Sequence, residues 1–367
     1  MKKINAIVCA TVLTVLMAAC GSKHEFTVNG TADDDQFNGQ TAYLYNGREL
    51  VDSTVVENHQ FTFAGTVDEP WMGTVYVTAE SGRATLDFVV EPGQISLNVL
   101  DDRLGGTPMN DSLYAFMLRN DNSDLQGELM SYRQLYYSAS TPETRAQAEH
   151  LFDSVEAIAM QRTFDQAMSL YESNSTNLLG AYALGTAAQI DKLDYAELNA
   201  IVEKAAPVVR NYKPVVDKLA QLKAIDETSA GKHYTDIQGV DGKLSDLIDG
   251  KVALVDFYAS WCGPCRNEIR DNLVPLWAKY QDKGLVIVGL NVWERGNREA
   301  REAAHAKVMA DLGITYPQLV DSTMNATTTY GVQGIPQILL IGADGTILAR
   351  DLRGAAIEEA IVNALGQ

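Results

Sequence analysis

Val252-Ala253-Leu254-Val255-Asp256-Phe257-Tyr258-Ala259-Ser260-Trp261-Cys262-Gly263-Pro264-Cys265 decides how the last third of this 367-residue chain folds. Its apolar opening reads as a strand covered on both faces of a sheet. The run ends in Cys-Gly-Pro-Cys, after which Ile269, Leu273, Leu276, Trp277 and Tyr280 recur at helical spacing. Strand, sharp turn and helix place Cys262 where unpaired N–H groups and the helix dipole favour an anion. A thiolate is such an anion, so Cys262 is the expected nucleophile. Cys265 follows one turn later, close enough to attack a mixed disulfide formed on Cys262. The implied chemistry is thiol–disulfide exchange, with a redox disulfide between Cys262 and Cys265. Zinc is the competing reading of CxxC, but it takes four ligands. There is no second CxxC, and His24, His59, His150, His233 and His305 are scattered. No metal and no cofactor are expected.

Charge and the N-terminus narrow the setting. A formal charge of −19 argues against nucleic-acid binding and against electrostatic docking on anionic lipid. Lys2 and Lys3 precede an apolar run from Ile4 to Ala19, too short to span a membrane comfortably. The run ends in Leu16-Met17-Ala18-Ala19-Cys20, which resembles a bacterial lipobox, with Met17 where leucine is more usual. The resemblance implies a signal peptide over 1–19, lipid on Cys20 and attachment to a membrane. Plain cleavage near Ala19 is the alternative, and either reading exports the chain. With Cys9 removed and Cys20 lipidated, the mature chain keeps only Cys262 and Cys265. Structural bridges in exported proteins link separate elements. This pair is too close to do so, and is read as reactive.

The length predicts two or three domains. Over 20–102, Phe26/Val28, Ala42/Leu44, Phe61/Phe63, Val75/Val77, Phe88/Val90 and Ile95/Leu97/Val99 alternate with polar residues. Asn29-Gly30, Asn46-Gly47, Ser81-Gly82 and Pro92-Gly93 read as turns between strands. An antiparallel β-domain, sandwich or half-open barrel, is expected, with Asp33 to Asp35 solvated in a loop. Over 103–228 the period becomes helical. Thr141-Pro142 starts one helix, with Leu151, Phe152, Val155, Ile158 and Ala159 as its apolar stripe. Further helices are predicted over 111–136, 177–189, 193–206 and 213–224. Tyr132, Tyr136, Tyr137, Tyr171 and Tyr182 read as packing residues. This region would orient the reactive domain or support a homodimer contact. Over 229–367 strands and helices alternate and end in a hairpin through Ala343-Asp344-Gly345. That pattern predicts an α/β fold with a mixed sheet.

Element order and motif together resemble thioredoxin. Val255-Asp256-Phe257 and Trp261-Cys262-Gly263-Pro264-Cys265 follow its active-site segment, Gly334-Ile335-Pro336 its cis-proline loop, and Gly354 its glycine before the last helix. An added helix, the lipobox and Glu268 shift the likeness towards the membrane-tethered TlpA/ResA-like thiol–disulfide reductases, related to AhpC/TSA and redoxin proteins. The segment before it is similar to β-domains of unknown function that precede thioredoxin-like domains in bacterial lipoproteins, on its strand pattern and Glu91-Pro92-Gly93. Ala259 stands where a peroxidatic site carries threonine. Two other departures carry expectations. Arg270 replaces a helix-kinking proline and predicts a straighter helix. Gly289 replaces the lysine that partners the buried acid, so Asp256 should be hard to ionise.

The resemblance assigns roles. Asp256 would take the proton of Cys265, since a carboxylate inside an apolar run is costly without a role. Ile335 and Pro336 would pair with an extended partner chain, Trp261 would rim an exposed Cys262 sulfur, and Glu268 would modulate the pair or simply be solvated. An envelope disulfide reductase facing the periplasm follows. Its partners would be disulfide-containing exported proteins and a membrane electron donor. A disulfide isomerase, or a lipid-anchored binding protein with a supporting thioredoxin-like domain, are the alternatives.

Overall fold

The computed structural model describes residues 24–80, 82–321, 323 and 325–366; the expected signal segment, the lipobox with Cys20, and Ser81 lie outside them. The chain divides into two compact units, one running to Ala187 and one beginning at Ala188. No helix among the described residues is long and apolar enough to cross a membrane.

In the first unit the predicted alternation becomes β1 (Glu25–Thr31), β2 (Thr41–Asn46), β4 (Gln60–Thr66), β5 (Trp71–Ala79), β6 (Gly82–Val90) and β7 (Gly93–Asn98). Two strands were not foreseen, β3 (Glu49–Val55) and β8 (Arg103–Gly105). The sheets run β4-β1-β7-β8 and β3-β2-β5-β6. Each strand predicted from alternation buries its apolar set, including Val28, Leu44, Phe63, Val75, Phe88 and Ile95. Strand β3 is an edge with Leu50 and Val51 exposed, so no buried stripe marks it in the sequence. Two expectations are corrected. The domain is not wholly antiparallel, because β1 and β7 pair in parallel. Asn29-Gly30 is not a turn but lies inside β1, with Gly30 opposite Phe61. A Cβ on Gly30 would fall 2.0 Å from the Phe61 ring, so glycine here makes room for an aromatic residue.

Helices α1 (Pro108–Arg119), α2 (Ser123–Ser138), α3 (Pro142–Asn174) and α4 (Leu178–Ala188) follow. The single helix expected over 111–136 is two, broken at Asn120-Asp121-Asn122, where the Asp121 carboxylate accepts from the Ser123 N–H at 2.8 Å. Of the apolar stripe on α3 only Val155 is buried, and Ile158 is exposed. Glu91 caps α1: its buried carboxylate accepts from the N–H groups of Met109 (2.8 Å) and Asn110 (3.2 Å).

The second unit opens with α5 (Tyr195–Lys204), α6 (Pro207–Arg210) and α7 (Lys213–Glu227), then α8 (Leu244–Ile248). Strand β9 (Val252–Tyr258) is buried along its whole length, as a two-faced strand must be. It is followed by α9 (Gly263–Glu268), α10 (Val274–Tyr280), β10 (Leu285–Asn291), α11 (Arg298–Leu312) and β11 (Gln318–Val320). Then come α12 (Asn325–Thr329), β12 (Gln337–Ile341), β13 (Ile347–Ala349) and α13 (Ala355–Leu365). The sheet order is β11-β10-β9-β12-β13. The first three strands are parallel and the last two antiparallel, the mixed thioredoxin-like sheet expected. Leu254, Ile338 and Leu340 face one core with α9, α10 and α13, while Val255, Phe257 and Leu339 face the other. The straighter active-site helix predicted from Arg270 is not found. A π-helical turn over Ile269–Leu273 separates α9 from α10, with the Val274 N–H reaching back to the Ile269 carbonyl. Pro275, which has no N–H to donate, follows directly.

Candidate active site

The turn out of β9 makes Cys262 the N-cap of α9, where its Sγ accepts from the Cys265 N–H at 3.2 Å. Pro264 sits in the first turn, where its missing N–H costs nothing. The two cysteines are joined as a disulfide, with Cα atoms 5.3 Å apart. Strand pairing of β12 with β9 brings the cis Ile335–Pro336 bond to the same end of the sheet. The Ile335 carbonyl oxygen lies 3.7 Å from Cys262 Sγ. The sulfur expected to be openly exposed is nearly covered: Cys262 is 4% exposed and Cys265 fully buried. Ile335 packs on the cluster that holds both, which narrows access to the nucleophile's side.

Asp256 lies on β9 behind the pair, 1% exposed, and neither carboxylate oxygen has a hydrogen-bond partner among the described residues. Burial pushes its pKa up to about 8; the Glu268 charge adds to the rise and the Arg353 guanidinium opposes it. The missing cation behaves as the sequence suggests. Gly289 stands opposite Asp256 in the sheet, and a Cβ there would already fall 2.5 Å from the Gln318 side chain. Gln318 in turn accepts from the Tyr258 hydroxyl at 2.7 Å. Glu268 is half-buried, and its Oε1 accepts from Asn272 Nδ2 (2.7 Å) and the Gly354 N–H (3.0 Å).

Four residues that the sequence did not single out join the site: Glu294, Trp293, Arg295 and Arg353. Glu294 accepts from the Ser260 N–H (2.5 Å), the Ser260 hydroxyl (2.8 Å) and Asn291 Nδ2 (2.8 Å), holding the turn that leads into Cys262. Trp261, 44% exposed, donates its indole N–H to the Trp293 carbonyl at 2.9 Å. The Arg295 guanidinium lies 4.2 Å from the centre of the Trp261 ring. Arg353 donates to the carbonyls of Leu352 (2.7 Å) and of Pro336 in the cis-proline loop. The first three come from the loop after β10, so only the β9–β10 register carries them to the cysteines. No cluster of three or more metal-ligating side chains occurs among the described residues.

A dithiol–disulfide pair at a helix start, facing a cis-proline on a five-stranded mixed sheet, defines a thioredoxin-fold oxidoreductase site. Residues 223–350 match the AhpC/TSA family and residues 26–113 a domain of unknown function, DUF4369. The thiol:disulfide interchange protein CycY of Rhizobium leguminosarum is 34% identical over 160 residues, 42% of this chain and 78% of that protein. The thiol:disulfide interchange protein HelX of Rhodobacter capsulatus is 34% identical over 122 residues, 33% of this chain and 62% of the relative. The thiol–disulfide oxidoreductase ResA of Bacillus anthracis is 31% identical over 114 residues, 31% of this chain and 61% of the relative. The chain thus spans about three-fifths of HelX and ResA. Among solved structures, the thioredoxin domain of a thiol–disulfide oxidoreductase from Bacteroides vulgatus is 26% identical with a TM-score of 0.32, over 37% of this chain and 96% of that one. The chain belongs to the thioredoxin-fold thiol–disulfide oxidoreductases of the AhpC/TSA family.

Proposed function

We propose that this protein reduces disulfides in exported proteins through the Cys262/Cys265 dithiol. The supporting observation is the position of Cys262 Sγ, at a helix N-terminus and 3.7 Å from the carbonyl of the residue before cis-Pro336. The Cys262 thiolate attacks a partner disulfide; a Cys262–partner bond forms, the partner's own bond breaks, and one partner thiol is released. Asp256, once ionised, takes the Cys265 proton. Cys265 then attacks the Cys262 sulfur, re-forming the Cys262–Cys265 disulfide and releasing the second partner thiol. Two electrons and two protons have passed to the partner. A membrane electron-transfer protein restores the dithiol. Ile335 and Pro336 pair with the extended partner chain as an added strand, Trp261 rims the entrance, and Glu268 modulates the charge behind it.

The direction rests on the residues between the cysteines. Gly263-Pro264 is the thioredoxin choice, whose couple lies near about −270 mV against about −120 mV for DsbA. That gap is roughly 7 kcal/mol for two electrons, more than one neighbouring charge supplies. Lipid on Cys20 and a place in the bacterial envelope facing the periplasm complete the proposal, supported by Leu16-Met17-Ala18-Ala19-Cys20. Equilibration of the folded protein against dithiothreitol buffers tests the direction. A midpoint within a few tens of millivolts of about −270 mV supports a reductase; one near about −120 mV reverses it.

A further inference from the structure

Beside the cis-proline loop, and lined in part by Ile335 and Pro336, lies a cavity of about 460 Å³. One wall comes from Gln221 and Ile225 of α7 and from Asp191, the other from Asp351 and Arg353, with Gln337 lining it between them. The α7 wall is fixed to the loop. Gly331 has φ +62°, and a Cβ there would meet Ile225 Cγ1 at 2.6 Å and the Gln221 carbonyl oxygen at 2.8 Å. The buried Lys218 holds Asp191 at 2.6 Å. Arg350 bolts Thr228 (2.9 Å to its carbonyl) to the Tyr330 carbonyl (2.8 Å).

Two donors of the cavity lack an anionic acceptor. Gln337 is 93% buried, being 7% exposed, yet its Nε2 has no hydrogen-bond partner among the described residues. A buried donor without an acceptor is costly and calls for an explanation. Arg353 donates only to the neutral carbonyl oxygens of Leu352 and Pro336 and forms no ion pair among the described residues. Of the two acids of the lining, Asp191 is held by Lys218, and the exposed Asp351 lies close enough to favour the charged form of Arg350. Glu268 directs its Oε1 at Asn272 and Gly354. What remains is a buried amide donor and a guanidinium that forms no ion pair among the described residues, next to the loop expected to hold a partner's backbone.

We propose that this cavity is a recognition subsite for the partner polypeptide, taking a carboxylate side chain that flanks the partner's cysteine. The subsite rests on the reductase reading and deepens it. It makes α7 and the Asp191 loop, which precede the thioredoxin-like elements, one wall of the partner site. It also selects against the chain's own field, since a net charge of −19 favours basic partners at long range.

The test uses the full chain, reduced, with peptides carrying one cysteine as a mixed disulfide with 2-mercaptoethanol and differing only in Glu, Gln or Lys beside that cysteine. The Glu peptide should exceed the Lys peptide in the second-order rate constant for reaction with the reduced chain by about tenfold or more, the range of a charge-assisted hydrogen bond, with Gln between. Arg353→Gln and Gln337→Leu should each bring that ratio towards one, and Arg353→Lys should restore part of it. The conservative variant and Gln337→Leu carry the test should Arg353→Gln not fold. Equal rates for the three peptides would overturn the subsite alone, as would a preference that survives both substitutions. A reduced wild type inert towards these peptides and towards bis(2-hydroxyethyl) disulfide would overturn the reductase reading itself.

Discussion

Asp256 sits under opposed influences, burial and Glu268 favouring its neutral form and Arg353 its charged one. Its carboxyl stays protonated in the folded chain up to about pH 8, whereas in the unfolded chain it ionises near 3.8. Between those values the native state binds more protons, so this residue lowers stability progressively as pH rises from about 4 to 8 and by a constant amount above. Asp256→Asn should therefore stabilise the oxidised protein at pH 8, on the order of 2 kcal/mol, with little effect at pH 4; urea titrations at the two pH values check this. The same substitution removes the proposed proton acceptor. Resolution of a preformed mixed disulfide should slow by roughly 100-fold and lose its rise through pH 8, measured by stopped-flow release of a chromogenic thiol. The two cysteines and the acid were legible because their types and spacing are themselves the signal. Glu294, Trp293, Arg295 and Arg353 were not, because each acts through contacts that exist only after strands 30 or more residues apart, or a loop and a strand, have paired.

At the scale of elements, the loops that border the cysteines are held by a few specific contacts. Glu294 satisfies both donors of Ser260, so Glu294→Ala should leave them without their acceptor and cost about 1–3 kcal/mol, read as a lower urea midpoint at unchanged slope. Gly331→Ala should cost a similar ~1–3 kcal/mol, from a left-handed backbone and a collision with α7. A distant control such as Gly127→Ala, with open space around it on α2, should not lower stability. Most strands were legible from alternation and from the apolar run of β9. Strand β3 was not, being an exposed edge, and neither was β11, only three residues long. Asn29-Gly30 misled because a strand glycine answering to Phe61 has the same letters as a turn. The active-site helix misled for a related reason: the straightness expected from Arg270 is overridden by the π-turn, which Pro275 follows.

At the scale of the molecule, the chain comprises two compact units that meet in sequence at Ala187–Ala188, and the disulfide belongs to the second. Calorimetry of the full chain should resolve two transitions, of which only one shifts when dithiothreitol opens Cys262–Cys265. A single transition, or a shift in both, would show that the units do not unfold independently. Their boundary could not be seen in the sequence, where helical periodicity runs through it without a break. What most directly tests the exchange mechanism is covalent trapping in the native cell. Cys265→Ser should accumulate partner proteins linked to Cys262 and released by dithiothreitol, and Cys262→Ser/Cys265→Ser should accumulate none; an empty Cys265→Ser lane, or adducts that persist without Cys262, would contradict the account.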